Sequence, residues 1–171
     1  MDTETSGVHP FFQLSESFFM AVPDVPLSGA LRKSRSISQG REPSLINRVL
    51  LMDDEEMLRK VGAMMLERLG YACETVADGN AAITAYEKAI SSGRPFDVVM
   101  LDLTNKTGMG GREAVLALKK MDPDVRAIVC SGWSVDPVLE NFTDYGFCGA
   151  LPKPYLKADL ESVLEKVIGG N

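Results

Sequence analysis

One histidine, His9, stands in a chain of 171 residues. That shortage excludes a histidine-based catalytic triad and any metal site built from several histidines. Cysteine is scarce as well. Cys73, Cys130 and Cys148 make an odd count with no CxxC spacing, so no disulfide framework is expected. Cys130 lies in an apolar run, and buried free thiols in a reducing cytosol are the expectation. No apolar stretch reaches the roughly 18 residues of a membrane span. The opening MDTETSGVHP has no Lys or Arg, and FFQLSESFFMAV is interrupted by Ser15, Glu16 and Ser17. This makes a poor secretory signal, so a cytoplasmic location is expected. Positive charge is in deficit, with a net charge of -6. Non-specific nucleic-acid binding needs a basic surface and is disfavoured; protein partners and cations suit this balance. The rest is ordinary for a soluble protein, at 45% hydrophobic and 25% charged residues. The length allows one domain with a sizeable core and a tail.

Two regions are legible. Residues 1–47 form the expected tail and linker, mostly disordered. Within them SGALRKSRSISQGREPS is rich in Ser, Arg and Gly and shows no apolar period. Ahead of it, Phe11, Leu14, Phe18 and Val22 are spaced to share one helical face. That spacing suits a short docking helix for a partner or a membrane surface. A floppy tail, or an upstream segment of a longer reading frame, is the simpler reading, since short helices are marginal alone.

From Arg48 to the end of the chain, residues 48–171, the pattern is regular. Strands are expected at 49–52, 72–77, 96–101, 125–130 and 148–152. Helices are expected at about 57–69, 80–91, 111–121, 137–144 and 157–168. In the first helix Leu58, Val61, Met65, Leu66 and Leu69 stand near helical spacing, as one apolar face would, and Gly70 should end it in a left-handed cap. Asp122-Pro123 should break the third. Continuous apolar runs imply strands covered on both faces. Right-handed crossovers then give an α/β fold, a doubly wound parallel sheet with helices on both sides. Ligands bind outside the carboxyl ends of the strands in such sheets.

Polar residues gather at those ends. Strand one ends in Asp53-Asp54, strand three in Asp102, strand four in Ser131-Gly132 and strand five in Lys153-Pro154. Three carboxylates in one pocket repel one another unless a counter-ion is present. A hard divalent cation resolves this, and Mg²⁺ takes one or two carboxylates while keeping waters. Such a site accepts a phosphoryl group. Asp102 can serve as a carboxylate nucleophile and form an aspartyl phosphate. Lys153, Ser131 and the Gly132 N–H can bind phosphoryl oxygens. Pro154 allows a cis peptide bond that aims the lysine inward.

The stretches RVLLMDDEEMLR, DVVMLDLTNKTGMGGREA, AIVCSGW and GALPKPY together resemble the receiver domain of bacterial two-component response regulators. The resemblance covers about residues 47 to 169. MLDLT…GMGGREA and GFCGALPKPY look most like receivers attached to hybrid sensor kinases. The resemblance implies a flavodoxin-like fold of five strand–helix units with strand order 2-1-3-4-5. It implies Mg²⁺ held by Asp54 directly, by Asp53 largely through water, by Asp102, and by the backbone carbonyl of Thr104. Asp102 would be the phosphoacceptor, Ser131 the Ser/Thr switch position and Lys153 the family's lysine. The donor would be a phosphohistidine on a histidine kinase or histidine phosphotransfer domain. Receivers catalyse their own phosphorylation and dephosphorylation and do not act on external substrates.

Three positions depart from the family pattern. An aromatic that rotates inward on activation often lies three residues before the lysine, where this chain has Ala150. A proline is usual near Lys106, where NKTG stands instead and a looser loop is expected. Trp133 lies two residues past Ser131, either packed on the next helix or shielding the acyl phosphate from water. With Asn171 close behind the last helix, output is expected through protein contacts on the last helices and strand, including a possible homodimer. Alternatives are a relay or phosphate-sink module of a hybrid kinase, and a phosphatase working through an aspartyl phosphate. Such phosphatases usually carry a second acid two residues after the nucleophile, where Thr104 stands here. A degenerate receiver would normally lack one acid or the lysine, and all are present.

Overall fold

Apolar runs just long enough for short strands alternate with longer amphipathic segments, and each becomes the element its length allows. The structure, a computed structural model, describes residues 47–106, 108–132 and 136–170. The segment carrying Phe11, Leu14, Phe18 and Val22, and also Trp133, lie outside the described residues. The strands are β1 (Arg48–Met52), β2 (Ala72–Val76), β3 (Val98–Asp102), β4 (Ala127–Ser131) and β5 (Gly149–Pro152). The helices are α1 (Glu56–Arg68), α2 (Gly79–Ser91), α3 (Gly111–Met121), α4 (Pro137–Glu140) and α5 (Lys157–Gly169). All strand pairs are parallel, in the order β2-β1-β3-β4-β5. This is the expected doubly wound sheet.

Alternate residues of the central strands feed two separate cores, as the period of two requires. Leu50, Met52, Val99, Leu101 and Val129 pack with residues of α2 and α3. Val49, Leu51, Met100, Ile128 and Cys130 pack with Leu66 of α1 and Leu160 and Leu164 of α5. Each fully buried aliphatic side chain contributes roughly 1.5–3 kcal/mol, which makes the central strands the anchor of the fold. β3 and β4 are buried along their whole length, whereas β2, at the sheet edge, is largely exposed. The expectation of strands covered on both faces therefore holds for the interior of the sheet only.

Local chemistry sets the element ends. The Asp78 side chain accepts from the Ala81 N–H at 2.9 Å and starts α2. Asp136 does the same for Val138, with Pro137 at the first helical position. Gly70 follows α1 at φ 87°, a left-handed conformation that glycine adopts without strain. The Lys153–Pro154 peptide bond is cis.

Four expectations are corrected. α1 buries Gly62 and Leu66, while Leu58 and Val61 are exposed at 40% and 37%. A Cβ on Gly62 would lie 2.7 Å from Leu51 Cδ2, so the helix sits tight on β1 at that point, and Leu58 and Val61 line a cleft instead. The single helix expected at 137–144 is two pieces. Asn141, at φ -120° and ψ 39°, leaves helical geometry after one turn, and a 3₁₀ turn follows at Phe142–Tyr145. β3 and β4 each begin two residues later than expected and run one further, so Asp102 and Ser131 are strand residues. Ahead of β3, Asp97 is diverted to accept from the Arg48 N–H at 2.8 Å. Of the three free thiols only Cys130 is buried; Cys148 is exposed.

Gly111 opens α3 against the end of β3. A Cβ there would stand 2.6 Å from the Asp102 carbonyl oxygen and 3.0 Å from Leu101 Cβ. Neither neighbour can swing away, because one is backbone and the other lies in the core. Gly111→Ala is expected to destabilise the fold by about 2 kcal/mol. Urea unfolding reads this directly, and an unchanged midpoint would show that the helix start can shift freely.

Candidate functional site

The parallel sheet delivers β1, β3 and β5 to one end of the sheet; Asp102 is the last residue of β3, and the loops after β1 and β5 carry Asp53, Asp54 and Lys153. Asp53 and Asp102 are each 4% exposed, and Asp54 is half-buried. Carboxylate oxygens of Asp53, Asp54 and Asp102 all lie within 4.8 Å of one another. Lys153 reaches in from the loop after β5. Its Nζ donates to Asp53 Oδ2 at 2.5 Å and to Asp102 Oδ1 at 2.7 Å. Backbone contacts fix this arrangement. The Lys153 N–H donates to the Ser131 carbonyl at 2.7 Å, and the Asp53 N–H to Val76 at 3.2 Å. Asp53 Oδ1 also accepts from the Glu55 N–H at 2.9 Å.

Electrostatics here is a contest between burial and pairing. Burial holds the Asp102 carboxyl above its usual range; Lys153 pulls the other way, and Asp53 and Asp54 add to the rise. Burial alone would lower the Lys153 ammonium, but its bonds to Asp102 and Asp53 outweigh this and raise it. One ammonium thus faces three carboxylates, and the cluster keeps an excess of negative charge. Close, oxygen-only donors of this kind fit a small hard dication such as Mg²⁺, and a soft metal would find no thiolate or imidazole among them. Cys130, the register partner of Asp102, is pushed up to about 12 by burial and stays a neutral thiol.

An open cleft of about 520 Å³ covers the cluster. Its polar wall includes the three acids, Thr104, Gly132 and Lys153; its other wall is apolar, with Leu58, Val61 and Met65 of α1. At Gly110 and Gly111 the chain packs back against the end of β3, where any side chain would collide with backbone oxygens of Leu103 and Asp102.

The model of the response regulator receiver domain matches residues 49–165. The chain belongs to this family. Among relatives of this receiver, the sensor kinase CckA of Brucella abortus (strain 2308) is 27% identical over 145 residues, covering 85% of this chain and 15% of CckA. The chain thus spans less than a sixth of that relative's length. The chemotaxis protein CheY of Thermotoga maritima is 27% identical over 121 residues, covering 70% of this chain and 96% of CheY. The solved receiver domain of the sensor histidine kinase PA1611 from Pseudomonas aeruginosa PAO1 superposes with a TM-score of 0.64 at 25% identity. It covers 73% of this chain and 99% of that one, and it holds a magnesium ion in its active site cleft.

The receiver brings most of the expected residues together. Asp53, Asp54, Asp102, Thr104, Gly132 and Lys153 line one cleft. Ser131 sits fully buried at the end of β4, not among the residues that line the cleft, with Pro152 as its register partner. Ala150 lies half-buried on β5 beside Val129, in the core shared with α2 and α3. Other contacts were not foreseen. Arg59 Nη1 donates to the Asp53 carbonyl at 2.6 Å. Tyr155 lines the cleft, and burial, then nearby acidic groups, raises its hydroxyl well above the usual range. The loop expected to be looser is tied at three points. Asn105 Nδ2 donates to the Ala77 carbonyl at 2.8 Å, the Lys106 N–H donates to Asp54 Oδ2 at 3.1 Å, and Lys106 Nζ pairs with Glu55 at 3.6 Å. The available signal was the missing proline itself, since any other residue there brings an N–H. Among the described residues no helix is long and apolar enough to cross a membrane.

Proposed function

We propose that this receiver accepts a phosphoryl group on Asp102 from a phosphohistidine of a histidine kinase or histidine phosphotransfer domain, in the presence of Mg²⁺. One observation carries the reading. A buried carboxylate at the tip of a central strand is flanked within 4.8 Å by two further acids and bonded to a lysine at 2.7 Å. Asp53, Asp54, Asp102 and the Thr104 carbonyl are the groups that would hold the ion. When bound, Mg²⁺ supplies the positive charge that offsets the excess of carboxylates and the incoming phosphoryl oxygens.

An Asp102 carboxylate oxygen attacks phosphorus in line with the donor nitrogen. The new O–P bond forms as the P–N bond breaks, and the electron pair stays with the imidazole. Lys153 moves its ammonium from the Asp102 carboxylate to a phosphoryl oxygen, and Ser131 and the Gly132 N–H take the others. Moving one lysine and one hydroxyl toward the new charge rearranges the ends of β4 and β5. The altered surface of the last helices and strand then changes protein contacts, including a possible homodimer. At Ala150 a methyl group stands where an aromatic would couple the site to that surface. The same chemistry serves a relay or phosphate-sink module, and the likeness to CckA, a sensor kinase, favours that variant as the second reading.

Incubation with Mg²⁺ and acetyl phosphate, followed by intact mass, tests the proposal. One added phosphoryl group that disappears on standing is the expected result. No gain, or sustained turnover of common phosphoesters, would overturn it; the latter points to a phosphatase.

A further inference from the structure

We propose that Lys106 is a positioning residue for Asp54, acting through its backbone N–H. The consequence for metal binding rests on the Mg²⁺ reading above; the hydrogen bond itself does not.

The three acids are held differently. Asp53 is fixed by the Glu55 N–H and by Lys153, and Asp102 by Lys153. Asp54 is less buried, and the loop after β3 supplies its hold, through the Lys106 N–H at 3.1 Å. That loop is itself anchored, since Asn105 Nδ2 bonds the Ala77 carbonyl at the far side. The N–H is therefore presented by a fixed segment, and one carboxylate oxygen is pinned while the cluster forms. A proline at position 106 has no N–H to give. The position therefore requires only that its residue is not proline; the lysine side chain is not what makes the bond.

Magnitudes separate the backbone from the side chain. The Lys106 ammonium is 3.6 Å from Glu55, but the two side chains are 79% and 57% exposed. Such a pair contributes little in water. A hydrogen bond to a carboxylate is stronger, and orienting a flexible ligand in advance removes a cost from binding. The assignment therefore falls on the N–H.

Two measurements test it on the full chain. In the first, amide hydrogen exchange at Lys106 is followed by NMR in metal-free buffer. Asp54→Ala is expected to speed that exchange about tenfold, the weight of one charge-assisted hydrogen bond. Unchanged exchange overturns the proposal whatever the metal does. In the second, MgCl₂ is titrated into the unphosphorylated chain by calorimetry. Lys106→Ala keeps the N–H and is expected to bind within about twofold of wild type. Lys106→Pro removes it and is expected to bind about fivefold more weakly. Equal affinities for the two variants overturn the positioning role. A wild-type chain that binds no Mg²⁺ overturns the metal reading instead, and the exchange result then decides the hydrogen bond alone.

Discussion

Asp102→Asn is expected to take up no phosphoryl group and yet to be more stable than wild type in metal-free buffer. The first effect follows from chemistry, because an amide is not the nucleophile that a carboxylate is. The second follows from electrostatics. Asp102 is buried, and burial raises its carboxyl above the usual range despite the bond from Lys153. A folded-state pKa above the unfolded one means that the folded chain binds the proton more tightly. Stability then falls as pH rises through that window, and ionised Asp102 is a net burden at neutral pH. Removing its charge also relieves repulsion from Asp53 and Asp54, while Lys153 keeps Asp53 as a partner at 2.5 Å. The gain should be about 1 kcal/mol. Intact mass after acetyl phosphate treatment reads the first effect, and urea unfolding in EDTA reads the second. A mass gain equal to wild type would remove Asp102 from its role. A loss of stability would show that the bond to Lys153 outweighs burial.

The carboxylates were legible in the sequence for a simple reason. Each stands where an apolar run stops, and parallel topology sends every such stop to the same end of the sheet. Asp102 itself extends β3 by one residue, so the strand delivers it with backbone precision. Lys153 was legible for the same reason, and its two bonds to Asp53 and Asp102 follow from strand order once β1, β3 and β5 are placed.

What the sequence concealed depends on contacts between loops and on which turn of a helix meets the sheet. Leu58 and Val61 keep helical spacing with Leu66, yet they line the cleft while Leu66 is buried, and α1 meets β1 closely at Gly62. Apolar periodicity cannot report that. The hold on Asp54 comes from a backbone N–H fifty-two residues away, whose one trace in the sequence is that residue 106 is not proline. No side-chain pattern encodes the contact of Arg59, whose guanidinium meets a carbonyl of Asp53 rather than a carboxylate. The 3₁₀ turn after α4 was hidden because 3.0 and 3.6 residue periods are indistinguishable over eight residues.

Lys153→Met should be the most destabilising change at the site. The lysine side chain is 15% exposed and bonds two acids that are 5% and 6% exposed. Methionine fills similar volume, so the loss is electrostatic and not a cavity. Without the ammonium, Asp53 and Asp102 face each other unpaired in a poorly solvated cleft. Breaking a buried pair from one side costs about 3 kcal/mol. The Lys153 pKa is raised by its partners, so its contribution is complete below the ordinary lysine value and is lost only as pH rises through the folded one. Neutral pH therefore shows the full effect. Two additions separate this account from general damage. Combining Lys153→Met with Asp102→Asn should recover about half of the loss, because one of the stranded charges is gone. Excess MgCl₂ should also narrow the gap to wild type, since a dication replaces the missing ammonium. Urea midpoints of the four proteins, with and without the ion, give the coupling directly. Lys153→Met within about 0.5 kcal/mol of wild type in EDTA, the range of an ordinary surface change, would mean that water enters the cleft and screens the acids without help from the lysine.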